Sequence, residues 1–530
     1  MALAVANAKP PANQLARPLV PWQIKIASKV HSVEMIHCFS VNGCRLVLDI
    51  ASGALHEVDE AAYIVLKAIQ GVVHESAYIL SSQPEGKNSY YLAQILDIAK
   101  PENFSNTGLA PHVLKETLSE IRSLVEIGQL FTLHDETFVH EHMQNRRPVV
   151  KALCMHMAHE CNLRCRYCFA GQGDYGQDRG LMSLDTGKKA LDFLIDNSGV
   201  RRNLEVDFFG GEPMLNFDTV KALVAYGRTR EKETGKRFRF TLTTNGALVT
   251  DDVHTYINEH MDNVVLSLDG RPEVNDKMRK LARPNQCQHT NDMSALSGSF
   301  STVFPKIKAL ADARNHQNYY VRGTYTRHNL DFAADVLYLA DKGFTQISVE
   351  PVVAPASADY SLRVEDLETL YHEYDKLAEA LLAREKAKKG VNFFHFQMDL
   401  SGGPCLAKRV TGCGAGSEYL AVTPSGKLFP CHQFVGDDNF CLGDVDAGVS
   451  NTEMVKEFSN CHVYTKPACR GCWARYYCSG GCMATAYHTH GNINQPDEIS
   501  CDLQRKRIEV ALYIKAVSAG NAEDTGVSHK

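Results

Sequence analysis

Nowhere in its 530 residues does the chain carry an unbroken apolar run of about 18 residues, so no segment reads as a membrane-spanning helix. The opening stretch MALAVANAKPPANQLARPLV is briefly apolar but has no basic region ahead of it, which makes it a poor signal peptide. Positive charge is also scarce. Against 56 Lys and Arg stand 62 Asp and Glu, a net charge of -6, which gives no footprint for nucleic acid or an anionic membrane. No internal repeat is present. What remains, 44% hydrophobic and 22% charged residues, describes a soluble globular protein of two to four domains. Cysteine is the exception to this restraint. Its 17 copies are odd in number and clustered, which favours metal ligation in a reducing cytosol over a disulfide framework. The expected location is cytoplasmic.

The run His159-Glu160-Cys161-Asn162-Leu163-Arg164-Cys165-Arg166-Tyr167-Cys168 has the spacing C-x3-C-x2-C, with an aromatic between its last two cysteines. Three thiolates so close can hold three irons of a [4Fe-4S] cluster and leave the fourth iron without a protein ligand. A zinc loop is the plainer alternative, with His156 or His159 as the fourth ligand. One βα unit later comes Phe209-Gly210-Gly211-Glu212-Pro213, whose two glycines let backbone approach a ligand closely.

Residues 1–34 are Ala/Pro-rich and read as a flexible leader. Strands are predicted at 35–41, 43–50 and 53–58, broken by Asn42-Gly43 and Ser52-Gly53 turns. Asp59 is placed to cap a helix over 60–70, with Ala62, Val65, Leu66 and Ile69 on one face. Helical stretches at 91–99 and 112–127 follow. From 150 to 390 the pattern alternates. Strands are predicted at 150–157, 204–209, 237–242, 263–268, 319–325 and 345–350, with helices at 183–197, 217–233, 251–260, 302–314, 331–342 and 364–387. Six βα units imply an α/β fold with parallel strands, either a partial (β/α)6 barrel or an open doubly wound sheet. A polar insertion at 281–300 interrupts one connection. Beyond 400, glycines, turns and cysteines dominate, as in a domain stapled by metal. The tail 519–530 reads as disordered.

The third strand ends Thr243-Thr244-Asn245-Gly246 and the fourth Ser267-Leu268-Asp269-Gly270, both small polar turns at the same end of the sheet. Arg322 lies charged inside an apolar strand, as a carboxylate clamp or an ion-paired structural arginine. Downstream, Cys413 and Cys431 flank Gly426, followed by Cys469-x2-Cys472-x5-Cys478-x3-Cys482 and Cys501. Seven cysteines in this order exceed one tetrahedral site and fit two further clusters.

The triplet, the GGEP turn, the βα units and the C-terminal cysteine order together resemble the radical S-adenosylmethionine enzymes with a SPASM domain, over residues 150–505. In that family the open iron binds S-adenosylmethionine, and an electron from the cluster releases a 5′-deoxyadenosyl radical. The resemblance implies three [4Fe-4S] clusters. The first, on Cys161, Cys165 and Cys168, cleaves the cofactor. Gly210, Gly211, Glu212 and Pro213 would face its methionyl amino group, and Thr244, Asn245, Ser267, Asp269 and Arg322 its ribose and carboxylate. A distal auxiliary cluster would use Cys469, Cys472, Cys478 and Cys501, and a proximal one Cys413, Cys431 and Cys482. The fourth proximal ligand is Cys405 or a substrate thiol, since seven residues separate Cys405 from Cys413 where some relatives have five. Cys38, Cys44, Cys154, Cys287, Cys441 and Cys461 remain as ordinary thiols.

The stretches HECNLRCRYCFAGQGDYG, CGAGSEYLAVTPSGKLFPCHQFVGD and MIHCFSVNGCRLVLDIASGALHEVD are similar to the maturases of SCIFF peptides, small peptides with six cysteines in about forty-five residues. This implies an N-terminal PqqD-like winged helix over 35–140, whose sheet edge takes the leader of a cysteine-rich precursor peptide. The radical SAM barrel would cover 150–390 and the SPASM domain 400–510. The implied reaction is thioether crosslinking, supported by an electron donor such as a flavodoxin or ferredoxin. Nucleic acid is disfavoured as the partner of the winged helix, because residues 31–100 carry four Lys or Arg against eight Asp or Glu. The nearest enzymatic rival is an anaerobic sulfatase maturase, which carries an acid directly after the counterpart of Cys431, where this chain has His432; Asp437 and Asp438 follow shortly. A non-catalytic iron–sulfur or zinc protein is the rival from another class.

Overall fold

The computed structural model describes residues 35–73, 100–132, 146–177, 179–282, 296–400 and 406–524, with single positions between 95 and 98 and between 139 and 143. The expected leader, most of helix 91–99, the centre of the polar insertion, Cys287, Cys405 and residues 525–530 lie outside these.

Strands Ile36–Val41, Cys44–Asp49 and Leu55–Glu57 form a three-stranded antiparallel sheet, turned at Asn42-Gly43 and Ser52-Gly53. Alternation along Cys44–Asp49 sends Leu46 and Leu48 into the main core, while Val47 faces the helices Glu60–Val73 and Pro111–Glu126. Asp59 does start the first of these helices: its carboxylate accepts from the Ala62 amide at 2.8 Å. On that helix Val65, Leu66 and Ile69 are buried and Ala62 is only half so.

The six strands expected between 150 and 351 are Ala152–Ala158, Asn203–Gly210, Arg237–Thr244, Asn263–Ser267, Tyr319–Tyr325 and Gln346–Pro351. They pair in parallel and in chain order. The alternation in Asn203–Gly210 and Arg237–Thr244 buries Leu204, Val206, Phe208, Phe238, Phe240 and Leu242 under the helices. The opposite face carries Asp207, Phe209, Thr241 and Thr243. One face is therefore core and the other a polar, partly open surface.

Two features correct the sequence reading. The cysteine-rich region was expected to stand on its own staples, yet Tyr419–Val422 pairs in parallel with Ala152–Ala158 and extends the main sheet on its other edge. Residues 419–422 are β-rich but too short a run for periodicity to register. Residues 519–524 of the tail expected to be disordered are instead the end of one long helix, Glu498–Asp524. That helix buries Ile508, Val510, Ala511 and Leu512 in the main core. The N-terminal sheet is tied to the same region, because His37 stacks on Trp473 at 3.8 Å and bonds Glu509 at 2.8 Å. Among the described residues no helix is long and apolar enough to cross a membrane.

Candidate functional site

The cysteine triplet lies in the loop leaving the first parallel strand. A short ribbon steadies it: Leu163–Cys165 pairs antiparallel with Arg279–Leu281, and the Arg166 amide donates to Met278. Backbone amides then turn toward sulfur. Leu163 N–H donates to Cys161 Sγ at 3.4 Å, and the amides of Ala170 and Gln172 reach Cys168. Cys165 and Cys168 lie close enough to raise the pKa of Cys161, and Cys168 that of Cys165; burial, the larger cause, pushes Cys165 up to about 12. Without a metal these are thiols; a bound iron cluster reverses that balance. His156 and His159, the alternative zinc ligands, hydrogen-bond each other, Nδ1 to Nε2 at 3.1 Å.

The two glycines of the GGEP turn are required by that loop. A Cβ on Gly211 would sit 2.2 Å from the Glu160 carbonyl oxygen, and one on Gly210, whose φ is 118°, 2.4 Å from that of Ala158. The Gly211 amide donates to Ala158 and the Glu212 amide to Glu160. Pro213 starts the 3-10 turn Pro213–Asn216. Glu212 points inward and is almost fully buried. It accepts from the Thr244 hydroxyl at 2.7 Å and from the amides of Asn245 at 2.8 Å and Met214 at 3.1 Å. Burial holds its carboxyl up at about 7, and those hydrogen bonds pull against it. Asn245 Nδ2 in turn lies 3.8 Å from Cys161 Sγ. The GGEP turn, the third strand end and the cysteine loop are thus one hydrogen-bonded unit.

Asp269 was read as a cofactor contact. Here both its oxygens accept from the Tyr167 hydroxyl at 2.8 Å, Oδ1 takes the Thr324 amide, and Arg279 stands at 3.8 Å. Its carboxyl is raised to about 6 by burial, which Arg279 opposes. Arg322 is half-exposed and ion-paired with Glu350 at 3.1 Å. It stands in register with Ser267, which is part-buried on the adjacent strand. Sequence reasoning missed Tyr167 and Arg279 as the groups that seat the loop. The aromatic between the last two cysteines was the visible signal; nothing in the sequence marks Arg279.

The later cysteines act on one another in two sets, with Cys461 acting on Cys469 and feeling Cys413. Cys413, Cys431 and Cys482 act electrostatically on one another, as do Cys469, Cys472, Cys478 and Cys501. Amides again point at sulfur: Ala415 at Cys413, Gln433 and Phe434 at Cys431, Thr485 at Cys482, and Gly480 and Gly481 at Cys478. Cys44 and Cys441 are turned the other way, their S–H groups donating to Glu57 and the Gly443 carbonyl; Cys461 donates to the Ile493 carbonyl and also takes a hydrogen bond from Lys466. Sulfurs that accept from amides suit cluster-bound thiolates, whose potentials such bonds help to set. Sulfurs that donate are thiols. The donor set at Cys161, Cys165 and Cys168 therefore fits an iron–sulfur cluster. His432, beside Cys431, bonds the Tyr419 hydroxyl at 3.2 Å and is packed against Phe169 and Phe209. Burial first, then Arg322, lowers it to about 4, so it is neutral. Asp437 is taken up by Asn439, and exposed Asp438 by Lys427.

The 4Fe-4S single cluster domain family matches residues 150–289. The radical SAM cyclopropyl synthase TigE of Paramaledivibacter caminithermalis is 22% identical over 67% of this chain and 72% of its own length. The mycofactocin maturase MftC of Mycolicibacterium smegmatis is 25% identical over 65% and 81%. Among solved structures, anSMEcpe with bound AdoMet and the Cp18Cys peptide superposes with a TM-score of 0.55 at 19% identity, covering 70% of this chain and 98% of that one.

Proposed function

We propose, from the premise that the chain is a relative of the radical S-adenosylmethionine maturases, that it crosslinks a ribosomally made, cysteine-rich precursor peptide through thioether bonds. The observation that carries this reading is a three-cysteine loop bonded to the GGEP turn together with seven later cysteines, with amides aimed at Cys161 and Cys168, at Cys413, Cys431 and Cys482, and at Cys478. A carrier protein needs neither that turn nor a three-cysteine first group. When bound, the first cluster and S-adenosylmethionine supply a hydrogen-abstracting radical. The chain's own share is to fix that chemistry at the C-terminal ends of a partial (β/α)6 barrel over 150–390. Arg322, Glu350, Asp207 and Thr243 line the polar face where the peptide would lie.

Each crosslink removes one hydrogen from a carbon and one from a cysteine sulfur. One hydrogen atom would go to the abstracting radical, and the other would leave as a proton, its electron accepted by iron–sulfur groups that the cysteines of residues 400–510 would hold. The three-stranded sheet at 36–57 would act as the PqqD-like leader-binding element, adding the leader as a strand. A flavodoxin or ferredoxin of the cytoplasm would recharge the first cluster. The absence of an acid after Cys431, with Asp437 and Asp438 engaged elsewhere, weighs against formylglycine formation.

The test is an anaerobic incubation of the reconstituted protein, S-adenosylmethionine and reductant with a cysteine-rich peptide encoded beside it. The expected result is loss of two hydrogens per crosslink, with those cysteines refractory to alkylation after disulfide reduction. An unchanged peptide beside steady deoxyadenosine release would overturn the substrate and leave the radical chemistry standing.

A further inference from the structure

Lys466 is the N-cap residue of the short helix Pro467–Arg470, which carries Cys469, and the Cys469 amide donates to its carbonyl at 3.0 Å. The side chain turns inward, and the residue is 1% exposed. Its Nζ donates to the Gly480 carbonyl at 2.9 Å and reaches the Cys461 thiol. Among the described residues no carboxylate lies within ion-pair distance of it, and Glu457, which acts on Cys461, is exposed. A buried ammonium with only neutral partners is costly, so it needs an anion nearby. The Cys469 sulfur is close enough to feel its charge. The Gly480 carbonyl that it holds belongs to the same peptide unit as the Gly481 amide, which donates to Cys478 Sγ. Lys466 therefore acts on two sulfurs of one group, directly on Cys469 and through a polarised peptide on Cys478.

We infer that Lys466 is the built-in counter-charge of the cluster on Cys469, Cys472, Cys478 and Cys501, and that it raises that cluster's reduction potential. The inference rests on the reading that these four cysteines hold a cluster. Such a cluster gains one negative charge on reduction, and a fixed buried cation with a strengthened N–H···S bond favours the reduced form. Arg505, which acts on Cys472 and Cys501, and Arg507, which acts on Cys478, add charge of the same sign from more open positions. Beside Cys413 of the proximal group stands Lys151, paired with Glu418 at 2.6 Å, as Arg505 is paired with Asp502; Lys466 alone of these three cations is fully buried without a carboxylate partner among the described residues. The distal group is thus built as the more readily reduced auxiliary site.

The experiment is potentiometric EPR of the full chain, dithionite supplying the electrons, on wild type, Lys466→Met and Lys466→Arg, with iron counted in each. Lys466→Met is expected to lower the reduced fraction of the distal cluster about tenfold at fixed poise, a shift of about 59 mV for one electron. Lys466→Arg should restore most of it, and the other two clusters should not move. Full iron with an unchanged potential overturns the inference. Where Lys466→Met sheds the distal irons, Arg505→Gln at the more open site decides: a smaller shift in the same direction upholds it, and none overturns it. If Cys469→Ala and Cys501→Ala leave the iron count unaltered, the cluster assignment itself is what fails.

Discussion

The first cysteine loop and the distal cysteine group use the same local device, backbone amides aimed at sulfur, in opposite electrostatic settings. Cys161 feels buried Glu212, Cys165 feels buried Asp269, and Cys168 feels Asp174, with Arg279 as the buried cation among them. Cys469, Cys478 and Cys501 feel Lys466, Arg507 and Arg505, the last of these paired with Asp502. Acids beside a cluster oppose its reduction, and cations promote it. An iron site that must give an electron away suits the first setting, and one that receives an electron suits the second. The local sequence builds the sulfur cradle in both places; the distant buried charges distinguish them.

The comparison breaks most sharply at Gly211. Its Cβ would meet the Glu160 carbonyl at 2.2 Å and the Gly173 Cα at 3.0 Å, both backbone atoms. Gly211→Ala must push the cysteine loop off the GGEP turn while leaving residues 413–501 untouched. Deoxyadenosine production should fall about 100-fold, the cost of a shift near 1 Å at a reacting centre. Iron bound by the later cysteines should persist, as Mössbauer spectra would show. Full activity in this variant would mean that the turn and the loop are not the single unit described.

Asp269→Asn acts one step further from the sulfurs. It leaves Arg279 buried with a weaker partner and disturbs the bond to Tyr167. Breaking a buried pair of this kind costs about 3 kcal/mol, to be read by urea unfolding of the reconstituted protein under argon. The EPR signal of the first cluster should change shape while those of the other two stay as they were. A loss of stability without that spectral change would make Asp269 a fold residue only.

Much of this arrangement was legible. The triplet, the GGEP turn and the six parallel strands follow from spacing and periodicity, because each is written in consecutive residues. The partners of those motifs were not. Asp269 and Tyr167 are 102 positions apart, and Arg322 meets Glu350 through strand pairing. Such pairings belong to the topology and leave no local pattern. The strand Tyr419–Val422 and the long helix Glu498–Asp524 were hidden for a different reason. The first is four residues long, and the second is buried on several sides, which blurs the amphipathic period. Lys466 sat in plain view among cysteines, but a sequence does not tell a buried lysine from a solvated one.

The polar face of the sheet gives the smallest and most specific test. Asp207 lies there with Thr243 donating to it at 3.1 Å, and its carboxyl is raised to about 7 by burial, against the pull of Thr243 and Arg322. The folded chain therefore holds a proton on Asp207 that the unfolded chain releases near the ordinary carboxylate pKa of 3.8. This group's contribution to stability is complete below that value and is lost as the pH climbs to about 7. Asp207→Asn cannot release the proton, so its urea midpoint should fall less between pH 5 and pH 7.5 than that of wild type. Glu212 and Asp269, raised for the same reason, keep their own slope in both proteins, and the difference between the two curves isolates Asp207. Parallel curves would mean that Asp207 is ionised on a hydrated face, and the polar surface of the sheet would then be open to water rather than shaped to exclude it.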